Sequence, residues 1–163
     1  MLKYLLIEAT LGVIIALLLR RFVCVLCYVK GRSMMDTLTG GEIIFARRRS
    51  KQAPIARFTV VLCRYPGRKG LFIKRVIGLP GERIAVIEDQ LHIDGEIIAE
   101  NYPRRRMLRD MEEREIPQGH YFLMGDNRPA SSDSRRIGPI AQEEIIAAAK
   151  YVVFPLKKWR RIG

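Results

Sequence analysis

Short apolar runs, each closed by turn-forming residues, recur along most of this 163-residue chain. Ile43 to Ala46 follows Gly40-Gly41. Phe58 to Cys63 stops at Arg64-Tyr65-Pro66-Gly67, and Leu71 to Ile77 stops at Gly78-Leu79-Pro80-Gly81. Arg83 to Ile87 and Leu91 to Ile93, closed by Asp94-Gly95, read as a hairpin and its turn, and Tyr121 to Met124 runs into Gly125-Asp126. Runs this short, bounded by Gly, Pro and Asp, have the length and punctuation of strands. The spacing predicts a mainly β chain of antiparallel sheets with irregular connections. One soluble helix is expected, over Ala141 to Ala149, with Gln142, Glu143 and Glu144 in its first turn, and a last strand over Tyr151 to Phe154. Tyr102 to Arg114 is charged and lacks a strand period, which predicts an exposed excursion or mobile loop.

The N-terminus departs from this pattern. Tyr4 to Leu19 is apolar apart from Glu8 and Thr10. As a helix it would span about 24 Å, somewhat less than a hydrocarbon core of about 30 Å. A cleavable signal would show small residues at a cleavage site, and no Ala-x-Ala follows. A buried helix of a soluble protein would show a polar face. A membrane anchor over residues 1–21 is therefore expected, with Arg20 and Arg21 reaching the interface. Residues 22–163 then form one further domain, large enough for a real core and divided by no long linker. Phe22 to Lys30, rich in Val and aromatics, reads as its first strand.

The formal net charge is +12, from 29 Lys and Arg against 17 Asp and Glu. Such an excess favours an anionic neighbour, a lipid surface or nucleic acid. The arginine triplets at 47–49 and 104–106 carry no interleaved aromatics, so base stacking is not signalled and no nucleic-acid partner is expected. Trp159 with the basic tail reads equally as a contact for lipid headgroups or as a solvated end. The three cysteines, Cys24, Cys27 and Cys63, read as small buried hydrophobes, and no Cys/His set completes a metal site.

Three stretches hold the chemistry. Gly31-Arg32-Ser33-Met34-Met35-Asp36-Thr37-Leu38 offers a serine in a turn-like context. Phe72-Ile73-Lys74-Arg75-Val76-Ile77-Gly78 places a lysine among apolar residues. Gly125-Asp126-Asn127-Arg128-Pro129-Ala130-Ser131-Ser132-Asp133-Ser134-Arg135 is dense in short hydrogen-bonding side chains. A serine hydroxyl is a weak nucleophile until a base removes its proton. A lysine serves as that base only when neutral, a state that apolar surroundings favour. Taken singly, Ser33 would read as a surface hydroxyl and Lys74 as an exposed strand lysine. His92 and His120 sit in no motif that suggests a Ser-His-Asp triad.

In these stretches the chain resembles the bacterial type I signal peptidases. Ser-Met-x-x-Thr-Leu, Lys-Arg-Val-Ile-Gly-Leu-Pro-Gly and Gly-Asp-Asn-Arg…Ser-x-Asp-Ser-Arg are similar to that family's three boxes, and Arg64-Tyr65-Pro66 to a smaller one. All occur in family order between about Phe22 and Pro155. The resemblance implies antiparallel sheets of the signal-peptidase type behind one transmembrane helix. It implies Ser33 as nucleophile, Lys74 as general base and Ser131 as the serine that orients the lysine. Asp126, Asp133 and Arg135 match positions that hold the site together, and Arg75 is expected to be a structural ion-pair partner. No cofactor or metal is expected. The Ser33 backbone N–H would be one oxyanion donor, and Gly31 stands where some members carry a hydroxyl donor. Asp36 is the clearest departure, because the family usually has proline there. Its charge is expected to favour protonated Lys74 and to oppose catalysis.

The chain thus reads as a membrane-bound serine endopeptidase that removes signal peptides from secreted preproteins. Its expected partners are those preproteins and the lipid bilayer. Counting Lys and Arg at the ends of the apolar run would keep the main domain in the cytoplasm. The family arrangement instead puts the N-terminus in the cytoplasm and the catalytic domain outside. Two rivals remain: a specialised processing peptidase of the same clan for pilus or conjugation proteins, and a non-catalytic polyanion-binding relative.

Overall fold

The computed structural model describes residues 3–4, 7–14, 23–50, 52–107 and 109–162. Two antiparallel sheets carry the fold, as the run spacing predicts. The larger is built from β1 (Cys24–Tyr28), β2 (Ile43–Arg48), β3 (Val60–Cys63), β4 (Phe72–Gly78), β9 (His120–Met124), β10 (Ile140–Ala141), β11 (Ile145–Phe154) and β12 (Arg160–Arg161). Its order is β1-β2-β11-β3-β4-β9-β10, with β12 paired to β11. The smaller sheet, in the order β7-β6-β5-β8, comprises β5 (Arg83–Ile87), β6 (Gln90–Ile93), β7 (Glu96–Ile98) and β8 (Met111–Glu115).

The two sheets approach each other at Gly78. A Cβ there would lie 2.2 Å from Ile116 Cδ1 and 3.1 Å from Phe122 Cβ, so only glycine fits. Around this junction Ile77, Ile84, Ile116 and Phe122 share one core cluster. The inner face of β1, β2, β3 and β11 packs a second cluster that includes Val29, Met34, Leu38, Ile44 and Leu62.

Three expectations differ from the structure. Ala141 to Ala149 is not a helix: a 3₁₀ turn over Gln142–Glu144 leads into β11, the strand between β2 and β3. Alanine favours helices, but Ala147 and Ala149 turn inward into the core cluster under β1, while Ile145, beyond a bulge, packs into another cluster. Tyr102 to Arg114 is not a free excursion. Tyr102 packs on the core, Met107 and Met111 are buried, and Met111–Glu115 forms β8 against β5. Of the cysteines, Cys63 is buried, whereas Cys24 and Cys27 are half-buried.

About half of the expected anchor, residues 1–2, 5–6 and 15–21, lies outside the described residues. Residues 7–14 are helical, with Ile7, Leu11, Val13 and Ile14 exposed. Among the described residues no helix is long and apolar enough to cross a membrane.

Candidate active site

The stretch that carries Ser33 leaves β1 through a pair of turns. Met35 N–H donates to Arg32 C=O at 3.1 Å, and Thr37 and Leu38 N–H both donate to Met34 C=O, at 3.1 and 2.7 Å. Met34 and Leu38 are buried in the core cluster under β1. These two apolar anchors fix the turn and leave Ser33, the residue just before Met34, half-exposed.

Lys74 comes from the centre of β4, opposite Val61 on β3. It shares a face with Phe72 and Val76, and Arg75 points to the other side. Only 3% of Lys74 is exposed, so the exposed-lysine alternative does not hold. Its Nζ donates to Ser33 Oγ at 2.7 Å across 41 residues of sequence. Burial pushes its pKa below the ordinary lysine value. Asp133 and Asp126 pull the other way without cancelling that effect, and Arg135 adds to it. Cys63 lies nearby with its thiol pushed up to about 12 by burial, so it stays uncharged at neutral pH.

The glycine-led stretch after β9 locks these parts together. Gly125 N–H donates to Asp133 Oδ2 at 2.9 Å, and Arg135 grips the same carboxylate through Nε and Nη2, both at 2.8 Å. Burial would raise the Asp133 pKa. The Arg135 contacts and the Gly125 N–H outweigh it and hold the carboxyl below its usual range. Ser131 also helps to hold that carboxyl down, yet its buried Oγ meets full hydrogen-bond geometry with no partner. The hydrogen bond from Ser131 to Lys74 that the resemblance implies is not formed. Gly125 is held so close that a Cβ would lie 2.3 Å from Ser131 Oγ and 2.5 Å from Ser33 C=O.

On the far side of β4, Arg75 meets Asp126 through Nε at 2.9 Å and Nη2 at 2.8 Å, with 1% and 0% of their side chains exposed. Arg75 Nη1 donates to Phe58 C=O at 2.8 Å, and the guanidinium lies 4.0 Å from the Tyr102 ring centre. Thr37 Oγ1 donates to Asp126 Oδ2 at 2.5 Å, tying the Ser33 turn to this pair.

Several supporting residues escape a sequence reading. Asn127 N–H donates to Ser33 C=O at 3.0 Å and its Nδ2 to Arg32 C=O at 2.9 Å, so it grips the serine from behind. Its place in the Gly-Asp-Asn-Arg run was the available signal. Arg128 is buried, donating to Gly125 C=O at 3.1 Å and Tyr102 Oη at 2.8 Å, and pairing with Glu100. Nothing local in the sequence marks Glu100 or Tyr102. Asp36 turns toward Arg105, and the carboxylates that bear most on Lys74 are Asp133 and Asp126. Among the described residues no group of His, Cys, Asp and Glu is arranged to hold a metal ion.

A family model described as "Signal peptidase, peptidase S26" matches residues 2–154. The chain belongs to this family. Signal peptidase I T of Bacillus subtilis (strain 168) is 34% identical, covering 93% of this chain and 84% of its own. Signal peptidase I of Bacillus caldolyticus is 35% identical, covering 86% and 85%. The crystal structure of a signal peptidase I from Enterococcus faecalis V583 superposes with a TM-score of 0.52 at 28% identity, covering 59% of this chain and 97% of that one. This family member is a serine endopeptidase that processes signal peptides, and neither rival reading is favoured.

Proposed function

We propose that Ser33 and Lys74 form the catalytic dyad of this signal peptidase. The observation that carries this reading is the 2.7 Å hydrogen bond from Lys74 Nζ to Ser33 Oγ, made by a buried lysine whose pKa burial lowers. Neutral Lys74 accepts the Ser33 hydroxyl proton as Oγ attacks the scissile carbonyl carbon. The carbonyl oxygen becomes an oxyanion. The Ser33 N–H makes no hydrogen bond to another described residue and is free to donate to that oxygen. One such donor contributes about 2.7–4 kcal/mol toward the transition state. The Lys74 ammonium then returns its proton to the leaving amine, which departs with the mature chain and leaves an acyl-enzyme on Ser33. Lys74, neutral again, takes a proton from water as the hydroxide attacks the acyl carbon, and the ammonium then returns that proton to the departing Ser33 Oγ, which releases the signal peptide and restores both residues.

Asp126, Asp133, Arg75 and Arg135 support this dyad by position. The first and third tie the Thr37 end of the turn to β4, and the other two hold Gly125 against Ser33. Ser131, buried beside Gly125, fills the space next to the dyad.

The catalytic face lies at a bilayer. Leu26, Phe45 and Tyr151 are register partners across β1, β2 and β11, and Tyr28, Ile43 and Phe154 form the next row on the same face. Leu26, Tyr28, Phe154 and Trp159 are exposed, and Trp159 stacks on Tyr151. An apolar face of this extent beside the Lys157, Lys158 and Arg161 cations suits the boundary between acyl chains and anionic headgroups. The apolar residues 1–21 supply the anchor, with the N-terminus cytoplasmic and Ser33 on the outer side. A preprotein held by its own signal segment then meets the serine as its chain leaves the membrane. Sharing one bilayer raises their effective concentration. The test is cleavage of a secretory preprotein by the full chain in liposomes, with Ser33→Ala and Lys74→Ala alongside. Cleavage after a small residue, lost in both variants, is expected. Retained cleavage by either variant would overturn the dyad.

A further inference from the structure

Asp36 is the position where this chain departs from the proline that the resemblance leads one to expect, and its backbone is one that proline does not adopt. Asp36 has a φ of +82°. The pyrrolidine ring confines φ to about −65°, so proline is excluded from this backbone. Thr37 N–H donates to Met34 C=O, which makes Asp36 the third residue of a four-residue turn, the place where positive φ is required and glycine is favoured. Aspartate tolerates the left-handed region better than most residues, but not freely. The conformation therefore needs something to hold it.

Arg105 does so from the opposite wall. Its Nε lies 3.2 Å from Asp36 Oδ2, and its Nη2 reaches Met35 Sδ at 3.7 Å. The backbone of Arg105 is itself fixed. Its N–H donates to Asp126 C=O at 2.9 Å, and it forms a parallel bridge with Asn127. Asn127 in turn holds Ser33 C=O and Arg32 C=O. The contacts close a ring: Ser33 to Asn127, Asn127 to Arg105, Arg105 to Asp36, and three residues of chain back to Ser33.

We propose that Arg105 is a positioning residue, an ion-pair strap that keeps Asp36 left-handed and thereby sets the turn carrying Ser33. This inference rests on Ser33 as the nucleophile. A turn loosened on one side displaces Ser33 Oγ from Lys74 and slows acylation, and it leaves the binding of the signal segment unchanged. Both partners are about half exposed, so the pair is worth at most about a fivefold change.

The decisive experiment is a cycle of variants in the full chain, assayed for kcat and KM on a preprotein in liposomes. Arg105→Ala is expected to lower kcat about three- to fivefold with KM unchanged, and Arg105→Lys to recover most of the loss. Asp36→Gly adopts positive φ freely, so its kcat should match or exceed wild type. In the Asp36→Gly background, Arg105→Ala should then change kcat by less than about 1.5-fold. Asp36→Pro, although it restores the family residue, should fall at least tenfold. An equal loss from Arg105→Ala in both backgrounds would overturn the strap, as would an Asp36→Pro enzyme as fast as wild type. Thermal unfolding of wild type, Arg105→Ala, Asp36→Gly and their double variant reads the coupling without activity. Cleavage retained by Ser33→Ala would sink the nucleophile assignment, and the unfolding cycle would still decide the strap, since zero coupling there overturns it.

Discussion

Replacing Asp126 with alanine strips the buried Arg75 guanidinium of both its carboxylate hydrogen bonds, at 2.9 and 2.8 Å. The side chains are 1% and 0% exposed, so water cannot enter to replace the lost partner. Phe58 C=O, Thr37 Oγ1 and the Tyr102 ring are among the groups that remain against the cation, and none of these three carries a compensating charge. Breaking one side of such a pair costs about 3–5 kcal/mol, because a bare charge stays buried. That is a shift of at least about a hundredfold in the folding equilibrium. The Arg83–Glu113 pair supplies an internal reference, with side chains 64% and 42% exposed. Glu113→Ala should cost about 0–1 kcal/mol. Urea unfolding of wild type, Asp126→Ala and Glu113→Ala, with unchanged m-values, measures both. A third variant, Arg75→Met with Asp126→Leu, removes the cation as well as its partner and should be less destabilised than Asp126→Ala alone. An Asp126→Ala cost below about 1 kcal/mol, level with the surface pair, would refute the argument from burial.

Other consequences follow from the same geometry. Because burial lowers the Lys74 pKa, the acid limb of kcat/KM should lie below the ordinary lysine value of 10.5, as a pH profile of preprotein cleavage would show. The unfolded chain holds that proton more tightly than the folded one. Stability from this group therefore rises with pH between the folded pKa and the ordinary value, and Lys74→Met should remove that slope in unfolding measured across pH. Gly125→Ala would place a methyl 2.3 Å from Ser131 Oγ and 2.5 Å from Ser33 C=O. A displacement of the serine by about 1 Å costs roughly a hundredfold in kcat, so single-turnover acylation should fall by at least that much. Arg160→Ala leaves buried Glu42 without its two 2.9 Å partners and frees Thr37 C=O. Thermal unfolding should show a loss of about 1–3 kcal/mol.

The places of β1, β2, β4, β5 and β9 were legible to within about two residues because their runs have strand length and lie beside Gly, Pro or Asp. The three boxes were legible because each is contiguous, and they place Ser33, Lys74 and the Gly125 stretch without knowledge of the fold. β8 was not legible. Met111–Glu115 has one apolar residue, and it becomes a strand because β5 offers it an unpaired edge. β11 was misleading for the opposite reason: three consecutive alanines follow helix propensity locally, and the sheet assigns them otherwise.

By itself the sequence determined the β architecture, the family and the proposed reacting pair, since these depend on runs and motifs written within a few residues. Only the tertiary structure decided the state of that pair. The 3% exposure of Lys74, its 2.7 Å approach to Ser33 and the turning of Asp36 toward Arg105 depend on groups 41 and 69 residues apart. Desolvation and ion pairing are properties of what surrounds a side chain, and chain folding alone brings those surroundings together.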